Sequence, residues 1–319
     1  MKKPIVLFAM MLVLITGSAV KAEKENHNFI VPVLVQKAEA EGSDIQKDAS
    51  GMLGKLCGIL SEKTGDDVQC HVVYKPNEAM SHKEGIEKYI SDIEERDFSA
   101  VYLSSNDYYN LTETYGYDKL LPVLSISFNK KTEDLACLYI REGDGIDSVE
   151  QLRGKKWAGS YFYMGTRYIL EKNGVDEPLA DFFGEISLDL KDQWVAMAEK
   201  LISGETDVFT GSLEDEMVGR IRDKRYKEIK TLVCEPHRAT HMIAFNKDKM
   251  SINKMKEYRK ILLGAHTDKA FGSFQFLFVA IRGHFVPFSN ESYEVTKNYM
   301  QTCTERGWLK EQMDFVSGK

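Results

Sequence analysis

The densest run of binding chemistry in the sequence is Tyr161-Phe162-Tyr163-Met164-Gly165-Thr166-Arg167. Three adjacent rings can stack on a flat or apolar body, and two of them carry phenols able to form hydrogen bonds. Gly165 then opens a stretch with helical spacing that closes at Gly174. The amides of Gly165, Thr166 and Arg167 therefore stand at a helix start, where partial positive charge favours an anion. Thr166 adds a hydroxyl and Arg167 a full charge. A cation in the first helical turn opposes the helix dipole, which is itself a reason to read it as placed for an anion. The competing reading is packing, since aromatic rings at a strand end also fill the gap between strand and helix.

Two polar triplets, Ser104-Ser105-Asn106 and Thr210-Gly211-Ser212, each follow a short apolar run, and Arg141 stands beyond a third. Such residues either cap the next helix or line the crevice outside the carboxyl ends of strands in an open α/β sheet. Arg141 can reach into that crevice or pair with Glu142 or Asp144. His237 and His241, separated by three residues in PHRATH, would share a face on a helix, and Pro236 with the strand that follows argues against one. Zinc would also need further ligands. No GxSxG, HExxH or P-loop pattern occurs, and no cysteine has a nucleophile's context. The residues describe a binding protein rather than an enzyme, with no cofactor and no metal.

The elements that must position these residues alternate between strand-like and helix-like stretches, the pattern of an α/β fold with mostly parallel sheet flanked by helices. Phe29 to Val35 reads as a buried strand, and Met52, Leu53, Leu56, Ile59 and Leu60 recur at helical spacing before a strand from Val68 to Tyr74. After Leu121 to Phe128 and the polar Asn129 to Asp134, the pattern restarts at Leu135 to Arg141, as if entering a second lobe. Ser148 and Gln151 make a capping box, and Gly154 ends the short helix it starts.

Lys2 and Lys3 precede the apolar run Ile5 to Ile15, with small residues Val20 and Ala22 after it. This reads as a secretory signal over 1–22. No later stretch approaches the ~20 apolar residues of a membrane span, so no membrane insertion is expected after signal cleavage. No cysteine precedes Cys57 to accept a lipid, so a soluble periplasmic product is expected rather than a lipoprotein. Cleavage removes Lys2, Lys3 and Lys21 and no acid, making the formal charge of -7 three units more negative. A nucleic-acid partner is excluded on that balance. Five cysteines in an oxidising compartment allow two disulfides and one thiol. Cys57 with Cys70, on adjacent helix and strand, is the best pair, two buried thiols being the alternative.

The segments LRGKKWAGS and SGETDVFTGS, with a glycine-opened helix between them and a signal before them, resemble the phosphonate-type periplasmic substrate-binding proteins of ABC transporters. The resemblance spans roughly Phe29 to Leu263. It implies a two-lobed type II periplasmic-binding-protein fold, with crossing strands near Leu135 to Tyr139 and Cys234 to His241. The lobes are then 23–134, 135–236 and a return to the first lobe over 237–319. It also implies a small-molecule ligand held between the lobes and ABC permease subunits as partners. A sensory partner of a membrane receptor or sensor kinase, and an exported enzyme on the same fold, are the alternatives. Phosphonate-binding members usually carry Ser-Thr-Ser-Gly where this chain has Phe162-Tyr163-Met164-Gly165. The expected ligand therefore has an acidic head and a larger organic body.

Overall fold

The computed structural model describes residues 24–34, 44–75, 83–159, 163–188, 194–212, 227–280 and 282–316. The leader 1–22 and, in the aromatic run, Tyr161 and Phe162 lie outside the described residues.

The chain opens with β1 (Asn26–Leu34), α1 (Asp44–Thr64), β2 (Asp67–Lys75), α2 (Lys83–Glu94) and β3 (Phe98–Leu103). β1 lies between β2 and β3 and is parallel to both. It buries the successive residues Phe29 and Ile30 on opposite faces, which is why this strand reads as continuously apolar instead of alternating. Helical spacing puts Ile86, Tyr89 and Ile93 on one face of α2, and all three are buried against the sheet. α1 ends where Gly65 takes φ +77° and returns its amide to Ser61 O, a helix exit that L-residues adopt only with strain. Then come α3 (Ser105–Tyr109) and β4 (Leu120–Ile126).

The chain next enters a second sheet through β5 (Glu133–Arg141) and β6 (Lys156–Gly159), followed by α4 (Tyr163–Lys172) and α5 (Leu179–Phe182). β7 (Glu185–Leu188), α6 (Trp194–Ser203), β8 (Val208–Ser212) and the long β9 (Ile229–Ala239) complete it. The capping box forms between Ser148 and Gln151, and a Cβ at Gly159 would run into the Trp157 indole. β10 (Met242–Asn246) returns to the first sheet, and α7 (Ile252–Leu263), α8 (Gln275–Ala280), β11 (Phe285–Pro287), α9 (Asn290–Glu305) and α10 (Trp308–Val316) finish the chain.

The strand orders are β11-β4-β10-β3-β1-β2 and β7-β6-β8-β5-β9, so the molecule is an α/β protein of two helix-flanked sheets. Each holds the parallel group expected, β2-β1-β3 and β7-β6-β8. Antiparallel strands are added to both, because the segments that bring the chain in and out must run back beside it. Among the described residues no helix is long and apolar enough to cross a membrane.

The chain passes between sheets at 127–132 and 240–241. In the first passage Phe128 and Lys131 pair around Asn129 and Lys130, both at positive φ. The passages run side by side: Glu133 is opposite Ala239, Thr240 N donates to Thr132 O, and Ile126 N donates to His241 O.

Two disulfides staple this frame. Cys57–Cys70 joins α1 to β2, with Cα atoms 5.9 Å apart. Cys137–Cys234 joins residues directly opposite on β5 and β9. The thiol left over is Cys303, buried in α9, where burial pushes its pKa up to about 12 and leaves it inert.

Candidate functional site

Leu103, Met242 and Ser125 stand side by side at one edge of the first sheet, where β3 and β4 end and β10 begins. The Ser104-Ser105-Asn106 triplet leaves this edge. Ser104 caps α3 by accepting from Asp107 N at 3.1 Å. Ser105 is fully buried and donates to Ala239 O at 2.6 Å, tying the triplet to the second passage. Asn106 keeps a buried Oδ1 with no hydrogen-bond partner among the described residues. The passage itself adds Thr240, 1 % exposed, whose Oγ1 also lacks a partner among the described residues. The next residue, His241, stacks on Tyr102, ring centroids 5.2 Å apart and 5° from parallel.

On the facing side, α4 opens at Tyr163, two residues earlier than its glycine suggests. Its unpaired first-turn amides are therefore those around Tyr163, Met164 and Gly165, while Thr166 and Arg167 lie within the helix. Met164 of α4 and Tyr109 at the end of α3 both pack against the apolar cluster of Tyr168, Tyr299, Met300, Cys303 and Trp308, so the two lobes share one apolar seam there.

The other expected residues take different places. Thr166 Oγ1 donates to Thr210 Oγ1 at 2.7 Å, and the Trp157 indole donates to the same oxygen at 2.9 Å, so both hydroxyls belong to a buried chain inside the second lobe. Gly211 and Ser212 lie in the buried strand β8, where Ser212 O accepts from Tyr139. Tyr163, 2 % exposed, donates to Glu311 Oε1 of α10 at 2.7 Å and sets its ring edge-on to Trp157. Burial, reinforced by that carboxylate, holds its phenol well above the usual pKa. Arg167 is also committed to α10, 3.5 Å from Glu311 Oε2 and over the Trp308 ring, with Nη1 on Glu177 O. Neither side chain is free to act as the platform or anion clamp that the sequence suggested.

Arg141 stands apart altogether. It ends β5 opposite Ile229, eight residues beyond the passage at Glu133, or roughly 26 Å along an extended strand. There it bridges Asp144, Asp207, Leu201 O and Thr206 O. The passage precedes the expected crossing at Leu135 to Tyr139, and this shift removes Arg141 from the cleft.

Sequence reasoning named neither Tyr102 nor Thr240 as a ligand contact, and weighed His241 only as a zinc ligand. Their signal was available in PHRATH, since the residues linking the lobes necessarily border whatever lies between them.

No protein-family model matches the sequence, and no curated protein is significantly similar to it. Solved structures do match. PhnD1 of Prochlorococcus marinus in complex with methylphosphonate superposes with a TM-score of 0.60 at 11% identity, over 88% of this chain and 98% of that one. A binding protein component of an ABC phosphonate transporter from Pseudomonas aeruginosa gives 0.54 at 11% identity, over 92% and 100%. The periplasmic aliphatic sulphonate binding protein SsuA of Escherichia coli gives 0.54 at 10%, over 89% and 94%. At these identities the likeness is one of fold, and the chain has the two-lobed periplasmic-binding-protein fold.

Proposed function

We propose that the protein is an exported solute-binding protein that captures a small molecule between its lobes and delivers it to an ABC-type importer. The observation that supports this reading is the joining, at one edge of the first sheet, of the Ser104–Asn106 loop to the passage bearing Thr240 and His241, beside the apolar seam that Met164 of α4 shares with the first lobe. Ligands of open α/β sheets bind at such strand ends. Two buried oxygens without partners, on Asn106 and Thr240, suit a ligand that supplies donors. The amides of the α4 first turn suit an acidic group. Neighbours of this fold are described as binding proteins, and one was solved with methylphosphonate.

Phe162-Tyr163-Met164 removes the hydroxyls that would complete an oxyanion site, and each charge-assisted hydrogen bond lost is worth roughly 1.5 to 3 kcal/mol. Phosphate and methylphosphonate are therefore expected to bind weakly, and an acid with a larger organic body to bind better. Calorimetric titration of the mature chain with phosphate, methylphosphonate and a hydroxyl-bearing arylsulfonate, which supplies a donor for Asn106 Oδ1, tests this. Asn106→Ala should weaken the best of them about tenfold, the equivalent of one hydrogen bond lost from a buried partner. Submicromolar phosphate binding, indifferent to Asn106→Ala, would defeat the proposed ligand class.

A further inference from the structure

Within the first lobe, behind the sheet, lies a partly open cavity of about 260 Å³. It is lined by Ala100, Tyr102 and Ile243 of β3 and β10, by Leu56 of α1, and by Phe274 and Phe278. Among the described residues no charged side chain lines it, and Cys70 of the α1–β2 disulfide is part of its boundary. The strand part of the lining is set by register. Tyr102 is opposite Ile243, and Ala100, two residues back on β3, points to the same face, so this face presents one apolar row after another up to the sheet's binding edge.

A void of this kind leaves its lining without dispersion partners on one side, and its loss of stability grows with volume. Water that enters from the open side finds few polar partners on these walls, so an apolar guest that displaces it gains contacts at little cost. We propose that this cavity is a binding site for an uncharged hydrocarbon or aryl group. The volume is well above the ~150 Å³ that holds benzene, which sets the guest at roughly ten carbons. The ring-lined walls favour an aromatic guest through edge and stacking contacts. This site adjoins the interlobe cleft at Tyr102 but is lined by other residues than the Asn106 loop, and it does not depend on the importer reading.

Naphthalene is the probe, added to the mature, disulfide-intact chain and followed by saturation-transfer NMR together with thermal unfolding. Saturable binding of one molecule per chain is expected, weakened at least tenfold by Ala100→Leu, which extends a side chain into the space. Ala100→Leu should leave the unfolding temperature unchanged or raise it, because filling a true void adds contacts. Leu56→Phe is a second filling variant should the first fail to fold. Asn106→Ala, in the cleft, should leave naphthalene binding intact. The proposal is overturned by absent or non-saturable binding, by binding that both filling variants leave unchanged, by dependence on Asn106, or by a fall of several degrees in unfolding temperature with both filling variants. Failure of any ligand to compact the protein would count against the clamp alone and leave this site standing.

Discussion

Arg238 grips Asp134 Oδ2 through Nε at 3.0 Å and Nη2 at 2.7 Å, at a point where the carboxylate is almost wholly buried. Burial by itself would raise that carboxyl's pKa, and the guanidinium reverses the effect and holds it below the usual range. Next to it on β9, His237 packs edge-on against Tyr299, and burial, with Arg238 beside it, pushes its imidazole down to about 4 from 6.5. A histidine held neutral by the fold takes up fewer protons folded than unfolded between those two values, so stability rises with pH across that window. The contribution is full above about pH 6.5 and is lost as pH falls toward 4, and it is on the order of 3 kcal/mol. Chemical denaturation at a series of pH values should show this slope in the parent and a shallower one in His237→Gln. Equal slopes would mean that His237 titrates normally. His27, His71 and His284 are shifted the same way, which is why the difference between the two proteins, and not the parent's slope, is diagnostic.

The β5–β9 pair carries a disulfide that closes a far longer loop than the one between α1 and β2. Loop-closure entropy gives roughly 3 kcal/mol for a loop of about 15 residues and nearer 5 for one of about 100. Replacing Cys137 and Cys234 together by alanine should therefore destabilise the protein more than replacing Cys57 and Cys70, as read from urea midpoints. Non-reducing peptide mapping should recover both linked pairs, with Cys303 alkylated only after unfolding. Equal midpoints would place the stabilisation outside chain entropy. Adjacent helix and strand made Cys57–Cys70 legible in the sequence. Cys137–Cys234 was not legible, although both expected crossing segments contained a cysteine, because antiparallel register across about a hundred residues is a tertiary property. The α4 residues failed to read correctly for a related reason. The alternation of strands and helices placed their element, but which side chains face the cleft depends on α10, more than a hundred residues away. Glu311→Ala should leave the buried Tyr163 hydroxyl and Arg167 guanidinium without their carboxylate and cost about 2 kcal/mol. A denaturation midpoint within error of the parent would show that water replaces Glu311 there.

Across the whole molecule, the two sheets are joined by the paired passages and by α9, which straddles them. Tyr293, near the start of α9, packs with Tyr108 in the first lobe, and Tyr299, further along, packs with Tyr168 of α4 in the second. Between them Thr296 accepts from Ala239 N at 2.7 Å, beside the point where Ser105 also holds Ala239. These bonds fix the midpoint of the connection. On the proposed reading, closure around a ligand would be a rotation about the passages, with the α9 contacts rolling rather than breaking. A ligand that touches both α4 and the Asn106 loop binds the closed arrangement better than the open one, and that difference in affinity is what shifts the population. Small-angle scattering of the mature chain should show a radius of gyration that falls as ligand is added and levels off at one equivalent, toward the roughly 20 Å of a compact chain this long. Tyr299→Ala, which loosens the α9 contact with the second lobe, should raise the starting radius and enlarge the change. A profile that stays constant while calorimetry reports saturation would mean the lobes are rigid, and affinity would then have to come from a preformed cleft.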